Sequence, residues 1–233
     1  MNKTGYFISK LVGKAICDYG MIEHGDRVMV AVSGGKDSLC LVDMLRDRQR
    51  RAPIMFDIFP VHYNADDTNA AVVAAHLRAR DYDYRIIPRS PQPPIQTKSP
   101  CFNCTRERRD RLFAEAQSMQ CRKIAFAHHQ DDIIQTVLLN LFFVGEISTM
   151  PPRLELSERG LVIIRPLALV DEAAITRYAR VEKYPALPNV CPHAGKTNRQ
   201  RMADIIQSVE TICPHARTNI YRALQRVKTG YLT

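Results

Sequence analysis

No apolar run in this sequence approaches the ~20 residues that a membrane-spanning helix requires. The opening stretch MNKTGYFISKLVGKAI is basic, but it has no clean apolar core and no small-residue cleavage site, so no signal peptide is expected. There is no large internal repeat and no low-complexity tract. Acidic residues are short relative to basic ones: 24 Asp and Glu stand against 33 Lys and Arg, a formal net charge of +9. That imbalance suits a polyanionic partner, RNA being the obvious one. Seven cysteines in a chain read as unsecreted argue against a disulfide framework and for metal or redox use of some of them. At 233 residues and 45% hydrophobic, the chain can bury the core of one large domain or of a domain with an extension.

The most informative stretch runs from Val28 to Ser38. Val28-Met29-Val30-Ala31-Val32 is a continuous apolar run, as expected of a strand covered on both faces. It leads into Ser33-Gly34-Gly35-Lys36-Asp37-Ser38, and a helix is expected over residues 39–48. Paired glycines let the backbone turn tightly and approach a ligand. Amides at a helix start cradle anions, with help from the helix dipole. Lys36 adds a point charge, and Ser33 and Ser38 add hydroxyls. The pattern is not a Walker A loop, which wants Gly and Ser/Thr where Val30 and Asp37 stand. Nor is it GxGxxG. A carboxylate at Asp37 is suited to help hold Mg²⁺.

The rest of the chain alternates strands and helices. Helix is expected over residues 5–20, strand over 54–62, helix over 70–80 and strand over 84–87. Such alternation implies βαβ units and a parallel sheet that binds ligands at the carboxyl ends of its strands. Five prolines between Pro88 and Pro100 read as an extended, exposed loop delivering Cys101-Phe102-Asn103-Cys104. A basic helix over 106–119, a strand over 123–127 and a helix over 133–144 follow. The junction of the last two is His128-His129-Gln130-Asp131-Asp132. Strand over 161–164 and helix over 171–183 come next. A second proline-rich loop then carries Cys191. Basic helices over 198–209 and 216–228 close the chain, with Thr197 or Asn198 and Thr218 or Asn219 as candidate N-caps. Three regions are expected: an N-terminal helix (1–25), a nucleotide-binding domain with the cysteine pair (26–170) and a helical C-terminal region (171–233).

Two thiolates from a Cys-x-x-Cys can ligate one metal or one cluster. With Cys191 the set reaches three, which fits a [4Fe–4S] cluster with one iron left open. His193 as a fourth ligand would fit zinc instead, and the pair alone also fits redox chemistry. No second Cys-x-x-Cys exists, because Ala194 stands three residues after Cys191. Cys213, in a context that copies that of Cys191, is the rival third ligand. Cys17, Cys40 and Cys121 read as small core residues.

SGGKDS resembles the loop of the PP-loop ATP pyrophosphatase superfamily. The Cys-x-x-Cys followed by Arg106-Glu107-Arg108-Arg109, then AFAHHQDDIIQTVLLNLFF, MPPRL, VIIRPLA and Pro188-Asn189-Val190-Cys191 before Asn198-Arg199-Gln200-Arg201, narrow this to the TtcA-like tRNA 2-thiocytidine synthetases. The resemblance covers nearly the whole chain. It implies an α/β fold with a doubly wound parallel sheet, helices on both faces and a C-terminal helical extension. It implies ATP binding by Ser33, Gly34, Gly35, Lys36, Asp37 and Ser38, with His128 and Asp131 nearby. Lys36, Asp37 and Asp132 would be catalytic, and Cys101, Cys104 and Cys191 would hold a [4Fe–4S] cluster. The implied cofactors are that cluster, ATP and Mg²⁺. The implied partners are tRNA and a cysteine desulfurase as sulfur donor, for a cytoplasmic homodimer. Arg106, Arg108, Arg109, Arg199 and Arg201 would meet RNA phosphates. For His128 and His129, packing at a strand end is an equal alternative; for each arginine, so is a solvated charged face. A PP-loop enzyme acting on a small molecule, or an inactive RNA-binding relative, remain alternative readings.

Overall fold

A computed structural model of the chain describes residues 1–64, 66–89, 100–188, 198–228 and 230. The described residues divide into two compact units, residues 1–129 with 152–190 and residues 130–151 with 191–233. No helix among the described residues is long and apolar enough to cross a membrane.

The first unit is built on a six-stranded sheet: β1 (Asp26–Val32), β2 (Phe56–Asn64), β3 (Arg85–Pro88), β4 (Lys123–Ala125), β5 (Arg153–Leu156) and β6 (Leu161–Ile164). Its order is β3-β2-β1-β4-β6-β5, parallel except for β5, which pairs antiparallel with β6. The order reverses between β1 and β4, so the crevice between their carboxyl ends is the expected ligand site of a doubly wound sheet. Both faces of the sheet are covered. One side packs α1 (Lys3–Asp18), α2 (Lys36–Arg51), α3 (Asp67–Ala79) and α6 (Glu172–Val181), through residues such as Ile8, Val12, Leu41, Leu45, Val73 and Ile175. The other packs α4 (Pro100–Ser118), through Leu112, Phe113 and Ala116 against Met29, Val61 and Ile124. This two-sided burial is why β1 shows no hydrophobic alternation: Val28 to Val32 are all buried.

Helix starts are set by local chemistry. Asn2, Asp66 and Asp171 each cap a helix, accepting from the backbone N–H of Gly5, Asn69 and Ala174 respectively. The second unit contains α5 (Gln130–Phe143), α7 (Asn198–Glu210) and α8 (Ala216–Ala223), which pack on one another.

Three local expectations need correction. The Cys-x-x-Cys does not lie in a loop, because α4 begins at Pro100 and includes it. Proline is favoured at the first helical position, where its missing N–H has no intrahelical acceptor to lose and its φ is already helical. Helix α8 ends at Ala223 rather than residue 228, and Thr218 and Asn219 lie inside it, His215 being its N-cap. Strand β5 was not expected. Residues 90–99 and 189–197, with Cys191, His193 and Thr197, lie outside the described residues, as does the side chain of Cys101.

Candidate active site

The loop after β1 is organised by Ser38. Its Oγ accepts from the backbone N–H of Ser33 and of Gly34, each at 3.1 Å, and donates to the carbonyl of Gly35 at 2.9 Å. The Gly35 N–H donates to Ser33 Oγ at 3.3 Å. The buried serine thus ties strand end to helix start and fixes the curvature of the loop. Gly34 has φ +88, and an added Cβ would collide with Leu187 Cδ1 and lie 2.6 Å from Val73 Cγ2. Gly35 is the N-cap of α2, so the amides of Lys36 and Asp37 open the helix, where N–H groups have no intrahelical acceptor. That is an anion cradle.

Lys36 and Asp37 project beside it. Lys36 Nζ is 2.8 Å from Glu172 Oε1, in the first turn of α6, and 3.1 Å from Asp37 Oδ1. Burial alone would depress the Lys36 pKa, but the Glu172 hydrogen bond and the two carboxylate charges outweigh it, and the net shift is upward. Asp37 Oδ1 is buried, with the Lys36 ammonium as its charge partner and His129 Nε2 4.0 Å from it. A shielded carboxylate oxygen beside a phosphate cradle is a fitting donor for Mg²⁺.

His128 and His129 follow β4, across the switch point from the loop. His128 Nδ1 accepts from Arg165 Nε at 3.3 Å, and its ring lies 5.8 Å from that of Phe126. Arg165, just beyond β6, is buried. Burial and the nearby Arg109 charge push its pKa down to about 10, so it is still a cation at neutral pH. Neither Glu172 nor Arg165 was singled out from the sequence. Glu172 had only the Asp171 cap to mark it, and Arg165 only its place after an apolar strand.

In the second unit, Asp131 and Asp132 sit in the first turn of α5, where the helix dipole favours negative charge. Asp132 Oδ1 accepts from Arg199 Nη1 at 3.1 Å. Buried Asp131 pairs with Arg217 of α8, whose Nε also donates to Glu210 at 2.9 Å. Arg199, expected to meet phosphate, therefore has a carboxylate partner, and Arg217 is a residue the sequence reading missed.

Cys104 is an exposed free thiol, the fifth residue of α4. Cys101 stands three positions before it in the same helix. The donor chemistry suits a metal or cluster. Among the described residues, no group of three or more His, Cys, Asp and Glu is placed to hold a metal ion. Arg106, Arg108 and Arg109 are exposed on α4, and Arg201 is exposed on α7.

Residues 8–187 match a family model described as the PP-loop domain. The chain is 39% identical to a tRNA-cytidine(32) 2-sulfurtransferase of Paracidovorax citrulli, over 95% of this chain and 74% of that one. It is also 39% identical to the protein of the same name from Acaryochloris marina, over 95% and 81%. Among solved structures, its fold is similar to the U34-tRNA thiolase NcsA from Methanococcus maripaludis, solved with its [4Fe-4S] cluster. The TM-score is 0.76 and the identity 20%, over 98% of this chain and 79% of that one.

Proposed function

This chain belongs to the PP-loop domain family, and on that premise we propose that it is an ATP-dependent tRNA sulfurtransferase, replacing the C2 oxygen of a cytidine, the one at position 32, with sulfur. The observation that carries this reading is similarity along almost the whole chain to proteins named for that reaction.

The chemistry takes two steps. The O2 oxygen of the cytidine attacks the α-phosphorus of ATP. The bond from that phosphorus to the bridging oxygen breaks, and pyrophosphate leaves with the electron pair. Lys36 and the first-turn amides of α2 take the charge that builds on the leaving group, and their worth comes from being in place beforehand. Ser38 keeps those amides in register. Glu172 must yield Lys36 to phosphate as ATP enters. Asp37 Oδ1 is the oxygen offered to Mg²⁺, which would supply further neutralisation of phosphate charge. A sulfur nucleophile then attacks C2 of the adenylated base, and AMP departs with the former O2.

Cys101, Cys104 and Cys191 would hold a [4Fe–4S] cluster, which would supply an iron with an open position to carry sulfur. A cysteine desulfurase is the proposed source of that sulfur, and a cytoplasmic homodimer the proposed form of the enzyme. Asp132, oriented by Arg199, is proposed as the active-site carboxylate. A cytidine in an RNA loop must be splayed out to reach such a site. Arg106, Arg108, Arg109 and Arg201 would hold the flanking phosphates, joined by Arg199 if it leaves Asp132.

The test is anaerobic incubation of the purified chain with ATP, Mg²⁺, sodium sulfide and tRNA. Nucleosides are read by mass spectrometry and nucleotides by chromatography. 2-Thiocytidine together with AMP is expected. ADP as the product, or tRNA left unmodified while AMP forms with an added metabolite, would refute the reading.

A further inference from the structure

Three hydrogen-bond donors meet on the α4 face of the sheet, at the carboxyl ends of β4 and β6. Leu161 and Ile163 of β6 pack on that face with Leu112, Phe113 and Ala116 of α4. Strand residues alternate between faces, so Arg165 follows Ile163 onto it. The Arg165 backbone N–H donates to the carbonyl of Pro152 at 2.8 Å, so the ladder continues at this position. Phe126, just past β4, packs against the same apolar cluster, and the His128 ring lies 5.8 Å from its ring. Arg165 Nε donates to His128 Nδ1 at 3.3 Å. Nδ1 therefore holds the lone pair, and Nε2 bears the proton of the neutral ring.

The electrostatics here are one-sided. Arg165 is 6% exposed, and burial, then the charge of Arg109 on α4, oppose its protonated form. Burying a cation is costly, and a like charge close by adds to the cost. Neither His128 nor Arg109 supplies negative charge. Two guanidiniums and an imidazole N–H offer donors alone, and the guanidinium fork matches the spacing of phosphate oxygens. The helix that opens at the pyrophosphate cradle, α2, packs on the opposite face, with Val28 and Val30. An anion drawn to Arg165 is therefore a second anion.

We propose that Arg165, Arg109 and His128 form a second phosphate subsite, separate from the cradle after β1. Its ligand is a phosphate ester. Two esters enter the proposed reaction besides pyrophosphate: the adenylate part of the nucleotide, and the phosphodiester beside the base being modified. The choice between these two sources rests on the sulfurtransferase reading above; the subsite itself rests on the donor set. Exposed Arg109 stands at the mouth, and buried Arg165 makes the inner contact, where a charge-assisted hydrogen bond is strongest.

The test is calorimetric binding of inorganic phosphate to the full chain, with ionic strength held constant by chloride. The wild type should show two sites, and Lys36→Ala, which disables the cradle, should keep one. Arg165→Met should weaken that remaining site by about tenfold or more, the scale of a hydrogen bond to a charged group. Its affinity for pyrophosphate should match wild type, which a general loss of structure would not allow. Arg165→Lys, which keeps the charge without the fork, should recover part of the loss. A wild type with a single phosphate site overturns the proposal with no variant needed, and so does Arg165→Met with both sites intact. The source is read from two pairs of ligands. Tighter binding of AMP than of adenosine, lost in Arg165→Met, assigns the subsite to the nucleotide. The same difference between the dinucleotide cytidylyl-cytidine and cytidine assigns it to RNA. Two phosphate sites with neither difference overturn the ester assignment. A chain that makes no 2-thiocytidine but keeps two phosphate sites loses the sulfurtransferase reading and not the subsite.

Discussion

Lys36 Nζ donates to Glu172 Oε1 at 2.8 Å, across 136 positions of sequence. The acidic partner occupies the cation that a phosphate would need. Its carboxylate also helps keep the ammonium protonated against the cost of burial. Glu172→Gln should therefore tighten pyrophosphate binding by about two- to fivefold, the scale of a partly exposed ion pair. Titration calorimetry measures this, with Lys36→Ala as the background in which the gain should disappear. Weaker binding in Glu172→Gln would make the glutamate an orienting partner rather than a competing one.

The adjacent glycines should separate folding from binding. Gly34 has φ +88, and its added Cβ would lie 2.6 Å from Val73 Cγ2. Gly34→Ala should cost roughly 2–4 kcal/mol in urea unfolding, from the left-handed conformation and overpacking together. Gly35 has φ −68, and the nearest atom to its added Cβ, Ser33 Oγ, is 3.5 Å away. Gly35→Ala should stay within about 0.5 kcal/mol of wild type, yet lose pyrophosphate binding because the methyl group enters the cradle. Equal destabilisation by both substitutions would contradict this division.

Arg217 is the charge partner of buried Asp131. Taking away one member of a buried pair strands the other in low dielectric. Arg217→Met should cost about 3 kcal/mol, the low end of the range because the guanidinium is partly exposed. The double variant Asp131→Asn, Arg217→Met should recover part of that loss. If the two single costs simply add in urea titrations, the pair is not coupled.

His62 and His76 both have pKa values lowered chiefly by burial. In the unfolded chain each takes up its proton near the ordinary 6.5. The unfolded state therefore binds more protons just below that pH. The stability tied to these neutral rings is present above the unfolded pKa and is lost as pH falls through the lower folded one. Between about pH 7 and pH 5 the wild type should lose stability, and His62→Phe should show a shallower slope. Urea midpoints at several pH values would reveal an unchanged slope if His62 does not contribute.

The parts of this fold that were legible in the sequence are those with local signatures. The apolar run Val28 to Val32, the paired glycines and the alternation of strands and helices lead to the doubly wound sheet, and the motif resemblance agrees with the named relatives. Strand β5 escaped because Arg153–Leu156 is a short edge strand whose residues are half-buried or exposed, which leaves no core-facing alternation to read. The helical setting of the cysteine pair was hidden by reading Pro100 as the end of a loop, when proline also opens helices. Glu172 and Arg217 were invisible for another reason. Their partners Lys36 and Asp131 lie 136 and 86 positions away, and pattern reading sees only neighbours.

The last prediction concerns the polyanion. Arg106, Arg108 and Arg109 are exposed on α4, the helix that opens with the cysteine pair, and the whole chain carries a net charge of +9. A tRNA that docks there displaces counterions from its phosphates. The log of its affinity should then fall with the log of salt concentration by roughly 0.7 to 0.9 per phosphate contact. Arg108→Ala with Arg109→Ala should weaken tRNA binding and flatten that slope by up to about two units. Arg106 already has Asp110 as a partner 3.8 Å away, so its removal should matter less. ATP binding measured without tRNA should not change, since the phosphate cradle belongs to α2. A small-molecule substrate would give almost no salt dependence. A flat salt response in the wild type, or an unaltered slope in the double variant, would remove α4 from the RNA-binding surface and leave the charge of the chain to be explained elsewhere.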